Sequence, residues 1–260
     1  MSRRKVLENT RLAKFYLFST PVFLVSGPQN IQTIFARSHK VGSEAIFEQN
    51  VFPILYRMPK EDIQRFAQDK SGRGRRPAPG TEHLPPESRY WLGYERVHSE
   101  YLTRTQHLQP MAEYFRERMS QMLDTQYAPG EWTTVSLIDF CRRQVAECSI
   151  GAVFGPRIFE LNPELLDGFW DFDSNIFVLT LAIPKWLNPR PYKAQERFYA
   201  MMHKYVEAAW TDIDWNGPAA DADWEPNFGA RVSREVVKWI KESGFHDQVA
   251  VGAMAMLVFA

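Results

Sequence analysis

Residues 245–260 read FHDQVAVGAMAMLVFA, and every residue of the stretch 249–260 is apolar or glycine. This run has about 12 residues, whereas a helix needs roughly 20 apolar residues to cross a bilayer. A short helix that is apolar on every side is typical of a protein core. We therefore expect a buried core helix that begins at about His246 and whose continuation lies outside this sequence.

The composition argues against several classes of protein. The chain of 260 residues has 31 Lys and Arg against 31 Asp and Glu, so its formal net charge is zero. Nucleic acid is not expected as a partner, because binding to phosphates depends on an excess of basic residues. Two cysteines are too few for a disulfide scaffold and fit a reducing compartment.

The N-terminal part predicts a small β-structure. Residues 1–18, MSRRKVLENTRLAKFYLF, are basic but have no apolar region directly after the charges, so no signal peptide is expected. The apolar residues 15–25 are few and include Pro21, which predicts two strands joined near residues 19–21. A helix is predicted to follow with Pro28 at its first position. No transmembrane segment is expected in this chain.

A long loop with a basic tract is predicted over residues 69–88, DKSGRGRRPAPGTEHLPPES. Such a composition is typical of a solvated and mobile loop. Long loops in compact domains also serve as functional lids, and this alternative stays open.

After this loop the apolar periodicity predicts about seven helices, so the chain is expected to be mainly α-helical. Polar residues, prolines and a glycine mark the expected helix ends: Ser88, Ser233 and Asn162 as N-caps, Pro110 and Pro184 as stops, and Gly244 after a C-terminus. Pro110 can also open the helix that follows it.

Few residues form a pattern typical of catalysis or of metal binding. Cys141 and Cys148 are seven residues apart on a predicted helix, and with no histidine or acid at ligand spacing they are interpreted as core residues. Asp171 and Asp173 are two residues apart, do not face each other on a helix, and are expected to be structural. His203 is interpreted as a residue at the edge of the core. The H-E-x-x-H, Walker A, G-x-G-x-x-G and G-x-S-x-G motifs are absent from the sequence.

The segment YERVHSEYL, residues 94–102, is more informative. Tyr94 and His98 are four residues apart, so a helix presents a phenol and an imidazole side by side. Such a pair can donate hydrogen bonds to one anionic group, for example a carboxylate. An amphipathic helix with a structural histidine explains the same pattern, and chemistry alone favours that simpler interpretation.

The order of these segments resembles the N-terminal portion of a cytochrome P450. The resemblance runs from Phe15 to Ala260 and is carried by the strand pair with GPQNIQTIFA, the long loop, YERVHSEYL, AVFG, LNPELLDGFWDFDSNI, AIPKWLNP and the terminal apolar helix. It is closest to microsomal and fungal P450s related to sterol 7α-hydroxylase and prostacyclin synthase. It implies one partial P450 domain over residues 1–260, a hairpin followed by helices B to the start of helix I.

The resemblance also implies a function. A haem-thiolate monooxygenase inserts an oxygen atom of O₂ into a lipophilic small molecule, with electrons from NADPH-cytochrome P450 reductase, on the cytoplasmic face of the endoplasmic reticulum membrane. By the same resemblance, Tyr94 and His98 would contact a haem propionate, with tyrosine where tryptophan is common. Helix F, the loop after it and the loop before helix C would line the substrate entrance.

The iron ligand of the family is a cysteine in a Phe-x-x-Gly-x-x-x-Cys-x-Gly loop, and neither Cys141 nor Cys148 has that setting. We therefore expect no catalytic residue and no metal ligand in this chain, no activity of the chain alone, and a core that is open along its last helix. An alternative is a non-catalytic helical protein that binds an apolar ligand or a partner helix.

Overall fold

A computed structural model describes residues 11–17, 20–36, 42–127, 130–181 and 183–259. The chain divides into two compact units, Met1–Phe47 and Glu48–Ala260. The single domain over residues 1–260 stays a prediction.

The first unit contains the predicted hairpin. Strand β1 (Leu12–Leu17) pairs antiparallel with β2 (Thr20–Val25), so that Tyr16 lies opposite Pro21. Proline is tolerated here because each strand of a two-stranded sheet is an edge strand. Helix α1 (Pro28–Ala36) begins at the predicted proline, and the short helix α2 (Glu44–Ile46) follows. The turn of the hairpin, at residues 18 and 19, lies outside the described residues.

The second unit is built mainly from helices, which confirms the mainly α-helical class. In chain order they are a π-helical segment (Phe47–Leu55, whose first residue belongs to the first unit), α3 (Lys60–Gln68), α4 (Tyr90–Thr103), α5 (Thr105–Gln126), α6 (Leu137–Phe140), a second π-helical segment (Cys141–Val145), α7 (Ala146–Phe154), α8 (Arg157–Leu161), α9 (Leu165–Thr180), α10 (Pro189–Asp212), α11 (Arg231–Glu242) and α12 (Asp247–Leu257). Short 3₁₀ turns lie at Pro86–Ser88 and Pro218–Ala220, and a two-stranded ribbon joins β3 (Trp224–Glu225) to β4 (Gly229–Ala230).

Pro110 does not separate two helices. The boundary lies earlier, at Arg104, and Pro110 sits inside α5, which begins at Thr105. Proline in a helix interior removes one backbone hydrogen bond and usually bends or breaks the helix. Here the helix continues through Pro110, and it packs along α7 and against α4.

The predicted caps at Asn162 and Ser233 are wrong for a common reason, since each side chain has a tertiary partner instead. Helix α9 begins at Leu165, and the side-chain amide of Asn162 donates to the carbonyl oxygens of Ile158 and Met201, at 3.2 and 3.1 Å. Helix α11 begins before Ser233, whose hydroxyl donates to the carbonyl of Val153 at 2.7 Å.

The C-terminal signals were more accurate. Helix α11 ends at Glu242, and Gly244 follows it in the left-handed region with φ of 67°. Glycine is favoured there because it has no Cβ atom. Helix α12 then has His246 at its N-cap, as the sequence predicts.

Helix α12 is enclosed by the chain's own elements, so the expectation of a core open along this helix is wrong. Val249, Ala250, Met254 and Ala255 are almost fully buried. The helix packs against α10 and α11, and Gly252 lies against the backbone of Tyr56. Its many alanine and glycine residues permit this close approach.

No helix in the described ranges has both the length and the apolar character needed to cross a membrane.

Candidate functional site

The loop before α4 is organised around a buried arginine. Arg89 is 4% exposed, and its guanidinium donates to the carbonyl oxygens of Ser71, Gly72, Gly74 and Arg75. Its Nε also donates to the hydroxyl of Ser71 at 3.0 Å. One side chain thus holds the backbone of residues 71–75, of which Gly74 and Arg75 are exposed as the expectation of a solvated loop requires. The mobility of the loop stays a prediction.

The start of α4 is capped from a distance. The predicted cap, Ser88, lies in a 3₁₀ turn, and α4 begins at Tyr90. The carboxylate of Asp69 accepts the backbone N–H of Trp91 at 3.0 Å and, through its other oxygen, the N–H of Ser71 at 2.9 Å. The indole N–H of Trp91 donates to the carbonyl of Phe66 at 2.9 Å. These bonds fix the orientation of the helix that carries Tyr94 and His98.

Aromatic side chains surround the first two turns of α4. We call them the aromatic cluster, and its members are Phe52, Tyr56, Phe66, Tyr90, Trp91, Tyr94, Trp239 and Phe245. Ring pairs of this kind stabilise a core beyond the apolar area that they bury. The cluster joins α3, α4, α11 and the segment before α3.

The structure places Tyr94 and His98 on one face of α4. Their ring centroids are 4.6 Å apart, and both side chains are half-buried. The hydroxyl of Tyr94 lies 2.8 Å from the hydroxyl of Tyr56, and Nδ1 of His98 lies 2.7 Å from the carbonyl oxygen of Tyr94. The adjacency expected from the sequence is present, and Tyr56 is a member of the site that sequence reasoning missed.

Burial sets the protonation of this site. It raises the pKa of Tyr94, although the hydrogen bond with Tyr56 and the charge of Arg73 oppose that change. It raises the pKa of Tyr56 well above the ordinary value of a tyrosine. It lowers the pKa of His98, against the carbonyl of Tyr94 and the charge of Glu95, which raise it. Two neutral phenols and a neutral imidazole are therefore favoured at neutral pH.

The two cysteines differ, so the interpretation of both as core residues is half wrong. Cys148 is buried in α7, and Cys141 is exposed. Seven residues would restore the same face of a regular α-helix, but a π-helical segment at Cys141–Val145 lies between them and changes the phase. Burial raises the pKa of the Cys148 thiol and disfavours its thiolate.

The other candidate residues do not form a reactive site. Asp171 lies 4.0 Å from Arg190, and its backbone carbonyl accepts from Asn175. His203 is exposed and lies 3.7 Å from Glu207, so the prediction that it sits at the core edge is wrong. Among the described residues, no group of three or more His, Cys, Asp or Glu side chains is arranged to hold a metal ion.

Asp69, Arg89 and Tyr56 position the site without a recognisable sequence signal. Each acts on a partner between 14 and 38 residues away along the chain. Arg89 and Asp69 flank a loop rich in glycine and arginine, and charged residues beside such a loop are usually exposed. The amino-acid composition therefore gave no sign that these two side chains are buried.

Comparison with known proteins identifies the relatives. The chain is 36% identical to cytochrome P450 monooxygenase calL of Penicillium decumbens over 251 residues, which cover 96% of this chain and 46% of the relative. It is 30% identical to cytochrome P450 monooxygenase fsoE of Humicola fuscoatra over 124 residues, covering 47% of this chain and 22% of the relative. It is 25% identical to cytochrome P450 monooxygenase efuG of Hormonema carpetanum over 142 residues, covering 54% of this chain and 25% of the relative.

No family model matches the chain, and no solved structure matches it. The chain spans less than half of the length of the curated relatives that it matches. This partial coverage is consistent with an N-terminal portion. The closer likeness to sterol 7α-hydroxylase and prostacyclin synthase stays a prediction. With a mainly α-helical structure and a match along almost its whole length, the chain belongs to the cytochrome P450 family.

Proposed function

We propose that the chain is the N-terminal portion of a haem-thiolate monooxygenase that oxidises a lipophilic small molecule with O₂ and electrons from NADPH-cytochrome P450 reductase. The observation that carries the proposal is the pair Tyr94 and His98 on one face of α4, in a chain related to P450 monooxygenases. In this function the pair holds a haem propionate.

The residues of α4 fit a carboxylate. Among the described residues, Nε2 of His98 has no hydrogen-bond partner, and the ring is half-buried, so a bond to an anion would be partly shielded from water. Tyr94 and Tyr56 share one hydrogen bond between their hydroxyls. Helix α4 thus offers the imidazole of His98 to such a group, with the hydroxyl pair of Tyr94 and Tyr56 beside it.

The cysteines do not fit the iron. Cys148 is buried with a raised pKa, and Cys141 lies in a π-helical segment. Neither is a candidate for a thiolate ligand, and the proposal places that ligand outside this sequence. Bound to a thiolate, haem supplies the activation of O₂. In the proposed function, the residues of this chain bind and orient the propionate, and its other helices enclose α12.

An apolar surface supports a lipophilic substrate. Phe177 near the end of α9 and Trp186 and Leu187 after it are 71%, 82% and 64% exposed. In the proposed function this segment lines the substrate entrance together with the loop before α4. Attachment to the cytoplasmic face of the endoplasmic reticulum membrane belongs to the same proposal and follows from the family.

Hemin binding tests the propionate contact. We expect the purified chain to bind hemin and His98→Leu to weaken the binding about tenfold, in line with the loss of a hydrogen bond to a charged group. His203→Leu removes an exposed histidine and should change nothing. Equal affinities for wild type and His98→Leu would refute the proposed contact.

Absorbance spectroscopy tests the iron ligand. The purified chain should lack the reduced-CO band of a haem thiolate and should have no monooxygenase activity. Appearance of that band would show that one of the two cysteines binds iron after all.

The alternative function is a non-catalytic helical protein that binds an apolar ligand or a partner helix. It is favoured by the exposure of Trp132, Leu137 and Ile138, which lie together in the sequence. Binding of a hydrophobic probe at this segment, with no hemin binding, would support the alternative.

A further inference from the structure

The protonation state of His98 can be assigned from one hydrogen bond. Its Nδ1 lies 2.7 Å from the backbone carbonyl oxygen of Tyr94. A carbonyl oxygen can only accept, so Nδ1 must carry the hydrogen. In the neutral ring Nε2 therefore has a lone pair and no proton.

This tautomer is unsuited to an anion. A carboxylate only accepts hydrogen bonds when it is ionised, and an unprotonated Nε2 also only accepts. Among the described residues no donor satisfies Nε2. Neutral His98 and an ionised carboxylate would thus place two acceptors against each other. The pairing becomes favourable when Nε2 gains a proton.

The surroundings of His98 favour the neutral ring in the absence of an anion. Burial is the main cause of its lowered pKa, and Glu95 on the same helix acts in the opposite direction. Arg73 of the preceding loop acts on Tyr94 and pairs with Glu95 at 3.4 Å. Titratable and charged groups on other elements contact other residues of α4: Tyr56 at Tyr94, Asp69 at Trp91, Arg65 at Tyr90, and His107 and Arg231 at Tyr101. The charge of Glu235 also acts on Tyr101.

We propose that α4 binds the carboxylate of a porphyrin propionate with uptake of one proton at Nε2 of His98, so that the bound residue is an imidazolium. The proton comes from solvent and forms the Nε2–H bond. The imidazolium then donates through Nδ1 to the carbonyl of Tyr94 and through Nε2 to the carboxylate. This inference rests on the proposed function and adds the protonation linkage of the same site.

The linkage determines how affinity depends on pH. A carboxylate beside the ring raises the pKa of His98 above its value in the free chain. Between these two pKa values the affinity should fall by up to about tenfold per pH unit as the pH rises, because one proton is bound with the ligand. Propionate groups stay ionised above about pH 5.5, so they do not contribute to this slope.

Gallium(III) protoporphyrin IX is a suitable probe, because it is a diamagnetic analogue of haem that permits NMR spectroscopy. In the free chain, ring ¹⁵N shifts should show the Nδ1–H tautomer of His98. With the probe bound, both ring nitrogens should be protonated at neutral pH. Affinity measured by fluorescence between about pH 5.5 and 8.5 should follow the predicted slope. The dimethyl ester of the probe has no propionate anions and should bind without a pH dependence.

Two variants separate the linkage from a structural role. In His98→Gln the side-chain amide donates without titrating, so binding should persist with a flat pH profile. His203→Gln should behave like the wild type. The Nε2–H tautomer in the free chain, or a flat profile in the wild type, would overturn the proton linkage while leaving the propionate contact intact. No binding of the probe at any pH would overturn both proposals.

Discussion

The hydroxyl oxygens of Tyr56 and Tyr94 lie 2.8 Å apart although 38 residues separate them in the sequence. Tyr56 precedes α3 and is 4% exposed, whereas Tyr94 belongs to the face of α4 that carries His98. This single bond joins the segment that contacts α12 to the helix proposed to hold the propionate.

Removing one hydroxyl of this pair should destabilise the chain. Tyr94→Phe leaves the buried hydroxyl of Tyr56 without its partner, and we expect a loss of about 1–3 kcal/mol in the free energy of unfolding, measured with urea. The double variant with Tyr56→Phe should recover most of the loss, because the buried hydroxyl of Tyr56 is then absent as well. Tyr16→Phe alters an exposed hydroxyl and serves as the control. A double variant as unstable as the single variant would contradict this account.

Gly252 is expected to tolerate no side chain. A Cβ atom there would lie 2.7 Å from the Cα of Tyr56 and close to the carbonyl group of the same residue. These are backbone atoms, which cannot rotate away as a side chain can. Gly252→Ala should therefore lower the free energy of unfolding by about 1–3 kcal/mol. Without this clash, replacing glycine by alanine in a helix would raise the free energy of unfolding by as much as about 1 kcal/mol. The sign of the measured change therefore distinguishes the two effects.

Gly168→Ala is the matched control for this effect. A Cβ atom at Gly168 would meet only the flexible end of Met201, with Sδ at 2.9 Å. We expect a change in the free energy of unfolding smaller than about 1 kcal/mol, since that side chain can move. Equal effects of the two substitutions would show that the contact with Tyr56 is not the cause.

Arg89→Lys should release the loop before α4. Lysine keeps the charge but cannot reach the same set of carbonyl groups, so about 1–3 kcal/mol of stability should be lost. Trypsin should then cleave faster after Arg73 and Arg75, as followed by mass spectrometry. Arg96→Lys changes an exposed arginine on α4 and should leave both the stability and the cleavage rate unchanged. Slow cleavage in Arg89→Lys would mean that other contacts hold the loop.

The start of α12 should be stabilised by a protonated His246. Its Nδ1 lies 2.9 Å from the buried carboxylate of Asp62, its Nε2 lies 3.1 Å from Glu61, and these groups raise its pKa. A raised pKa means that the stabilisation is complete below the unfolded value of about 6.5 and is lost as the pH rises through the folded value.

Urea unfolding between about pH 6 and 8.5 measures this dependence. The midpoint should decrease with rising pH in the wild type, and His246→Gln should remove that part of the decrease. His203→Gln, at a more exposed position on α10, should retain it. An unchanged slope in His246→Gln would exclude this residue as the source.

Local patterns were sufficient for several elements. The hairpin, the first residue of α1, the glycine after α11 and the start of α12 follow from short-range preferences of proline, glycine and apolar residues. The adjacency of Tyr94 and His98 was also predictable, because it depends only on helical spacing. The resemblance to P450s additionally predicted that a hairpin is followed by a series of helices.

Other features depended on partners that no local pattern contains. Asn162 and Ser233 look like caps in the sequence, yet each side chain bonds to another helix. Cys141 does not share the buried helix face of Cys148, because a π-helical segment changes the number of residues per turn between them. The spacing of apolar residues gives no sign of that segment.

The primary sequence was thus enough to predict a mainly helical chain that resembles the P450 family and to place Tyr94 and His98 side by side on one helix, since periodicity, turn chemistry and motif order are encoded in neighbouring residues. How that helix is held became evident only from the folded chain. Asp69 reaches Trp91 across 22 residues, Tyr56 reaches Tyr94 across 38, and Asp62 reaches His246 across 184. Hydrogen bonds over such separations form only when packing has brought their groups together, and the enclosure of α12 depends on the same packing.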